Sequence, residues 1–420
     1  MKIEVTFRSN EFQPYEGEEQ QIKLGLWRNL MKNNFRRILL VVFNLYMLCS
    51  NAWAGEGGLA PVVNGLQQVA QYNFAIHILA MLLVGFGFLM VFVRKYGYGA
   101  TTGTYLVVAV GLPLYVLLRA SGILCGEPIA PSTIKALLYA EFAVAAALIA
   151  MGAVLGRLRV FQYALLALLL VPAYLLNEWM VLDGGLGVTR GFVDTAGSII
   201  IHAFGAYFGI GLTLVLTTGQ QRSTPIESDV ISDRFAMLGS MVLWLFWPSF
   251  CSAIVPLEAM PQTMVNTVLS LSGATISTYL FSTLLRKGKT SFADMANAAL
   301  AGGVAIGATC NVVAPAIAFG IGLLAGAVCV LGYVFVQPAL EARLKVVDTC
   351  GVHNLHGMPG LLGGVIVLWV VPGVAMAQLI GIVVTVAIAL GCGLLAGAMI
   401  KFTGTTPLAY EDREEFTGLE

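Results

Sequence analysis

The chain has 420 residues; 58% are apolar, only 11% are charged, and the mean hydropathy is +0.83. A soluble domain of this length needs a far more charged surface, so composition excludes that class and predicts a polytopic membrane protein. Lys plus Arg and Asp plus Glu number 23 each, but this zero net charge says nothing of partners, because the charges are segregated along the chain.

The amino end opens with a polar stretch over residues 1–30. From Met31 the sequence MKNNFRRILLVVFNLYMLCSNAWAGEGG places Lys32, Arg36 and Arg37 ahead of an apolar run over 38–49 and then Ala52-Trp53-Ala54. That is the charged, apolar and A-x-A order of a secretory signal peptide, and the run is short for a span, which takes about 20 residues. Cleavage after Ala54 is therefore predicted, with residues 1–30 an extension or a mis-assigned start.

Eleven apolar segments of spanning length follow: 72–93, 101–117, 133–155, 161–182, 195–217, 235–255, 264–285, 292–312, 316–336, 354–371 and 378–400. Their lengths suit helices crossing a hydrocarbon core of about 30 Å. A cleaved signal leaves the new amino end outside, and eleven crossings then put the carboxyl end inside. Loop charge agrees. Connections predicted inside carry Arg94, Lys95, Arg157, Arg159, Arg222, Arg234, Arg286, Lys287, Lys289, Arg343, Lys345 and Lys401, whereas those predicted outside carry Arg119, Lys135 and Arg190, the expected positive-inside bias. Of seven cysteines, only Cys125 falls in a predicted outside loop once Cys49 leaves with the signal. No disulfide framework and no C-x-x-C metal cluster is expected. Glycines inside the spans, among them Gly205, Gly209, Gly302, Gly303, Gly363 and Gly364, read as sites of close helix packing.

Two stretches repeat: VDTAGSIIIH over 193–202 and VDTCGVHNLH over 347–356. The offsets agree, since 348 − 194 and 356 − 202 both give 154. Asp194 and Asp348 begin the fifth and tenth spans from opposite faces, where each carboxylate serves as an N-cap for free first-turn N–H groups. Eight residues further is about 12 Å of helical rise, which brings His202 and His356 to the midplane from the two sides. The constant offset predicts an inverted repeat of five spans plus five with the eleventh outside it, and such repeats keep their working site at the midplane. Ionisable residues deep in a span are costly and read as functional. His77 has no motif around it, and His353 lies near the membrane edge, where local hydrogen bonding explains it.

These motifs resemble those of the ammonium transporter/Rhesus superfamily. DTAGSIIIHAFGAYFG and DTCGVHNLHGMPGLLGG look like its signatures, the second closest to the Rhesus branch, as do NEW over 177–179, EFAVAAALIAMGAVLGRL from Glu141 and LFWPSFCSAI from Leu245. The likeness covers nearly all of residues 55–402. It implies an all-α homotrimer, each subunit with its own narrow hydrophobic pore lined by the facing pair His202 and His356. Phe142 and Phe250 match two phenylalanines that constrict the outer end, and Glu178 matches an acidic residue of the Rhesus outer vestibule. The aromatic and serine cluster with which ammonium-transporter members grip the cation is not written here, since Cys251 follows Phe250, so a Rhesus-like conductance is the expectation. The implied organisation is extension 1–30, signal 31–54, channel domain 55–402 and cytoplasmic tail 403–420. The implied setting is the cell (inner) membrane.

The expected activity is conduction of ammonia: ammonium loses its proton before a pore that opposes ions, and a neutral imidazole pair offers donor and acceptor nitrogens to the amine. Methylammonium and carbon dioxide are further candidate substrates, and neither a cofactor, a bound metal nor a nucleic-acid partner is implied. The alternative is a divalent-metal transporter using the same histidines, but such sites recruit carboxylate or thiolate ligands nearby, and Cys350 is almost two turns from His356. An enzyme is disfavoured, because no nucleophile motif is present; Ser198, four residues before His202, reads as a packing or capping residue.

Overall fold

The computed structural model describes residues 62–123 and 127–419, and every element among them is helical. The extension, the predicted signal peptide with its A-W-A site, and Cys49 and Cys125 lie outside the described residues.

Nine helices among the described residues are long and apolar enough to cross a membrane. They are α1 (Gly65–Phe92), α2 (Gly97–Ser121), α3 (Ile134–Ala153), α4 (Val160–Val181), α5 (Ser198–Leu216), α6 (Val230–Ser252), α7 (Leu257–Leu285), α9 (Pro315–Leu344) and α11 (Ala375–Lys401). The eighth and tenth apolar segments are less regular than continuous spans. α8 (Phe292–Ile306) is helical over Phe292–Ala298 and Ala301–Ile306, then ends in a series of turns. Its Gly302 and Gly303 are poor helix formers, but a Cβ on Gly303 would stand 2.6 Å from Trp247 Nε1 of α6, so the weak turn is what lets α8 seat on that ring. α10 starts as a π-helical turn, His353–Gly357, and continues as an α-helix over Met358–Val370. The chain is thus a multi-pass membrane protein whose eleven apolar segments each form a helical element.

The two halves are built alike. α2 packs on α3 and α4 in the first half, and α7 packs on α9 in the second. Thr195, just before α5, donates to Asn311 Oδ1 at 2.8 Å, and Thr349, just before α10, accepts from Arg157 Nε at 3.3 Å. The partners keep the sequence offset, since 349 − 195 and 311 − 157 both give 154. Two glycines in left-handed backbone, Gly197 (φ 76°) and Gly351 (φ 68°), turn the chain into α5 and α10 and are again 154 apart. This is an inverted repeat drawn in hydrogen bonds as well as in sequence.

Because lipid is as apolar as a leucine side chain, packing rather than hydrophobic burial must hold such helices together. α3 and α5 are the innermost, and Gly205 of α5 lies so near α3 that a Cβ would meet the Ala146 carbonyl at 2.6 Å. Trp369, Leu284 and Leu395 stand on the outer surface, an apolar face that only lipid or another subunit can cover. The residues after α11 fold back over one end of the bundle, here the tail face. Asp412 accepts from Tyr98 N (2.8 Å) and Gly99 N (2.6 Å) at the start of α2, and Glu415 accepts from Val160 N at the start of α4. Each carboxylate satisfies N–H groups that a helix start leaves free.

Candidate functional site

The site begins with two aspartates. Asp194 Oδ2 accepts from Ile199 N (2.9 Å) and Ile200 N (2.8 Å), and Asp348 accepts from Val352 N and His353 N, both at 3.0 Å. The carboxylates serve the first turns, but from three and four residues ahead of the N-cap positions Gly197 and Val352 rather than from them. The left-handed glycines make that reach possible, and the N–H groups drawn inward open each helix as a π turn: Ser198–Ala203 in α5 and His353–Gly357 in α10. Each π turn carries one histidine, His202 or His356, and π turns concentrate at functional sites.

The two rings meet. His202 Nδ1 lies 3.2 Å from His356 Nδ1, with centroids 5.3 Å apart and planes 11° apart, and both residues are buried. An Nδ1–Nδ1 hydrogen bond between neutral imidazoles requires opposite tautomers. One histidine carries its proton on Nδ1 and shows a bare Nε2; the other has Nε2–H. His202 Nε2 is buried with no protein partner, an atom left for something else to meet.

Aromatic rings enclose the pair on both sides. Towards the far face, Phe142 of α3 and Phe250 of α6 stand edge to face with centroids 4.8 Å apart, and Phe250 is 6.1 Å from His202. Trp247, one helical turn before Phe250, stacks on His202 at 5.6 Å. Towards the tail face, Phe86 stacks on His356 at 6.4 Å, and beyond it lies a cavity of about 20 Å³ lined by Leu148, Gly152, Asn297, Cys350 and His356 among others. That is room for about one molecule of water's size. Phenylalanines, histidine pair and cavity therefore form one sequence of contacts along the bundle.

The other singled-out residues take different places. Glu178 is buried within α4 and accepts from the Tyr115 hydroxyl at 2.8 Å, beside the Arg119–Asp183 ion pair at 3.0 Å. His353 sits in the π turn with its ring edge-on to Tyr207 at 5.7 Å and its Nδ1 buried without a hydrogen-bond partner among the described residues, so ring packing rather than the expected local hydrogen bonding holds it. Cys350, remote along the helix, nonetheless shares the inner cavity with His356. Ser198 spans α5 and α8, donating to Val304 O and accepting from Ala308 N, both at 2.7 Å. Among the described residues no group of three His, Cys, Asp or Glu side chains could hold a metal ion. Trp247 and Phe86 were not foreseen; Trp247 was discoverable from its i−3 spacing to Phe250, whereas nothing separates Phe86 from other apolar residues of its span.

Comparison with known proteins shows the family. The profile of the Ammonium Transporter Family matches residues 38–420. Ammonium transporter Rh type B of Bos taurus is 43% identical over 299 residues, covering 68% of this chain and 63% of its own length; the Xenopus laevis type B-A protein is 41% identical over 293 residues, with 68% and 62% covered. The chain thus spans less than two thirds of those relatives. The solved structure of Nitrosomonas europaea Rh50, described as a Rhesus-family channel, is 68% identical with a TM-score of 0.84, over 85% of this chain and 94% of that one. Candida albicans Mep2, at 18% identity and TM-score 0.68 over 80% of this chain and 85% of its own, shares the fold. The chain belongs to the ammonium transporter family and stands with its Rhesus members.

Proposed function

We propose that this protein conducts ammonia across the membrane through the passage between Phe142, Phe250, His202 and His356. The observation that carries the reading is the 3.2 Å contact of two buried histidines inside a file of aromatic rings. An ion entering such a passage loses its hydration for little in return, at a cost of several kcal/mol or more. Ammonium can escape that cost by leaving its proton with water at the far face; potassium cannot. The far-face ring pair offers a cation an electron-rich surface at the entrance.

Once neutral, ammonia has one lone pair and three N–H bonds. Opposite tautomers give the histidine pair one bare Nε2 and one Nε2–H, so the amine donates to the first and accepts from the second. The orphaned His202 Nε2 stands at a cost of about 1–3 kcal/mol, which a passing donor or acceptor relieves. Trp247 and Phe86 hold the rings in plane, and the one-molecule cavity receives ammonia before it regains a proton on the other side.

Arg94, Lys95, Arg286, Lys287, Lys289, Arg343 and Lys345 all lie on the tail face, as does Lys401, which supports reading that face as cytoplasmic by the positive-inside rule. The apolar outer surface suits a homotrimer in lipid. Carbon dioxide and methylamine are neutral and small enough to be tested on the same path.

The deciding experiment is stopped-flow measurement in proteoliposomes, with pH and volume changes followed under separate ammonia and carbon dioxide gradients. Ammonia entry faster than in empty liposomes, with no potassium current, is the expected result. No acceleration by either gas overturns the reading.

A further inference from the structure

We infer that His77 of α1, outside the passage, is a positioning residue that sets the pose of the Phe250 constriction through Ser249. The inference rests on the proposed conduction through that constriction.

The geometry is local to three turns. His77 Nδ1 lies 2.9 Å from Ser249 Oγ, and its ring stacks on Phe246 with centroids 4.7 Å apart and planes 21° apart. Gln71, less than two turns earlier on α1, donates to Ala253 O at 3.1 Å. α1 therefore holds the last turns of α6 at Phe246, Ser249 and Ala253. Those turns carry Trp247 and Phe250, the two α6 rings against His202. At 100° per residue, Ser249 lies about 100° around the helix from Phe250 and about 200° from Trp247. The hold acts on the flank of α6 beside the face that carries the two rings.

This end of α6 needs an external hold. Pro248 lies inside the helix and has no N–H to give the preceding turn, so a restraint on twist is missing beside Phe250. The ring of a phenylalanine lies about 5–6 Å from its helix axis, so a rotation of about 10° moves it about 1 Å. A change of that size forfeits a quarter to a half of a contact's dispersion attraction, and it would reshape the 4.8 Å Phe142–Phe250 approach. A partly buried polar ring on the α6-facing side of α1 is costly in a span, and seating this turn of α6 is a use that offsets it.

The two contacts of His77 can be separated by substitution. His77→Asn keeps a polar atom near the Nδ1 position and loses the stack; His77→Phe keeps the stack and loses the hydrogen bond; Ser249→Ala removes the partner. The test reconstitutes each full-length variant in proteoliposomes, normalised to the amount of monodisperse protein, and measures ammonia and methylamine flux separately. A hold equal to one neutral hydrogen bond biases the twist about fivefold. His77→Phe and Ser249→Ala are expected to change the methylamine-to-ammonia ratio by about that factor, in the same direction, with the double variant no worse than either single. His77→Asn stays near wild type. A purely structural role lowers protein yield and thermal stability without moving the ratio. If His77→Phe does not fold, Ser249→Ala decides alone. Unchanged ratios in folded variants of a conducting protein overturn this inference only, whereas a wild type that conducts neither amine overturns the reading beneath it.

Discussion

Apolar replacement of the histidine pair separates a hydrogen-bonded couple from two residues that merely pack. If His202 Nδ1 and His356 Nδ1 are bonded at 3.2 Å, His202→Leu leaves the His356 nitrogen buried and alone, and His356→Leu does the converse. Each single change should cost about 1–3 kcal/mol, the usual penalty for orphaning a buried polar atom, whereas removing both partners in favour of shapes of similar size is nearly neutral. The double variant should therefore unfold close to wild type, so the cycle gives a coupling energy equal to the two single costs together, about 2–6 kcal/mol. Unfolding in detergent, followed by tryptophan fluorescence, gives the four stabilities. Flux should behave differently. Ammonia crossing the double variant finds neither donor nor acceptor, and each lost hydrogen bond of about 1 kcal/mol slows passage about fivefold, so roughly 30-fold for two. Additive stability costs would refute the hydrogen-bonded pair, and unchanged flux in the double variant would confine both residues to packing.

Three further outcomes follow from the contacts around that pair. Phe142→Ala and Phe250→Ala, which open the 4.8 Å edge-to-face approach, should keep the fold and speed methylamine entry relative to ammonia; loss of folded protein, at the about 3–5 kcal/mol typical of a packed phenylalanine, would instead assign the ring to the core. Arg157→Met strips donors from Thr217, Val347 O and Ala153 O and should lower the unfolding temperature more than Asn311→Ala, which loses only the Thr195 contact; differential scanning fluorimetry ranks the two. Asp412 is buried, and burial raises its carboxyl above the ordinary aspartate range despite the Tyr98 and Gly99 N–H groups, with Glu415 raised likewise. A raised value in the docked state means that docking tightens as pH falls through it and loosens above it, so limited proteolysis of the tail should slow on acidification, and Asp412→Asn should weaken that dependence.

The passage was partly legible in the sequence because membranes make ionisable residues expensive. Four histidines in 420 residues are few enough that two with matched Asp spacing stand out, and the period carries geometry with it. The same logic fails for apolar residues. Phe86 and Trp247 stack on the pair, yet an apolar ring in an apolar span gives no sign of which way it faces. Helix regularity hid as well. Eight residues of ideal rise place a histidine at mid-depth whether the turn is α or π, and only the glycine backbones at 197 and 351 turn the carboxylates onto later N–H groups. The break in α8 depends on how tightly Ser270 and Trp247 pack against its glycines, and the His77–Ser249 contact joins residues 172 apart in the chain. No local pattern encodes either.

The inverted repeat explains why the site need not be symmetric. Position 157 is arginine and its counterpart 311 is asparagine, so the tail-side half is clasped by a long, multiply bonded cation and the far-side half by a single amide. Likewise Ser198, which ties α5 to α8, corresponds to Val352, which cannot make that bond. Duplication supplies two helices whose first turns aim a histidine at one point. Divergence then gives each side its own neighbours: the Phe142–Phe250 constriction beyond His202, and Phe86 with a one-molecule cavity beyond His356. In the proposed conduction the far mouth thus meets a cation with a ring pair and the tail-side mouth holds a neutral molecule in a small cavity, while the gradient alone sets the direction of net flow.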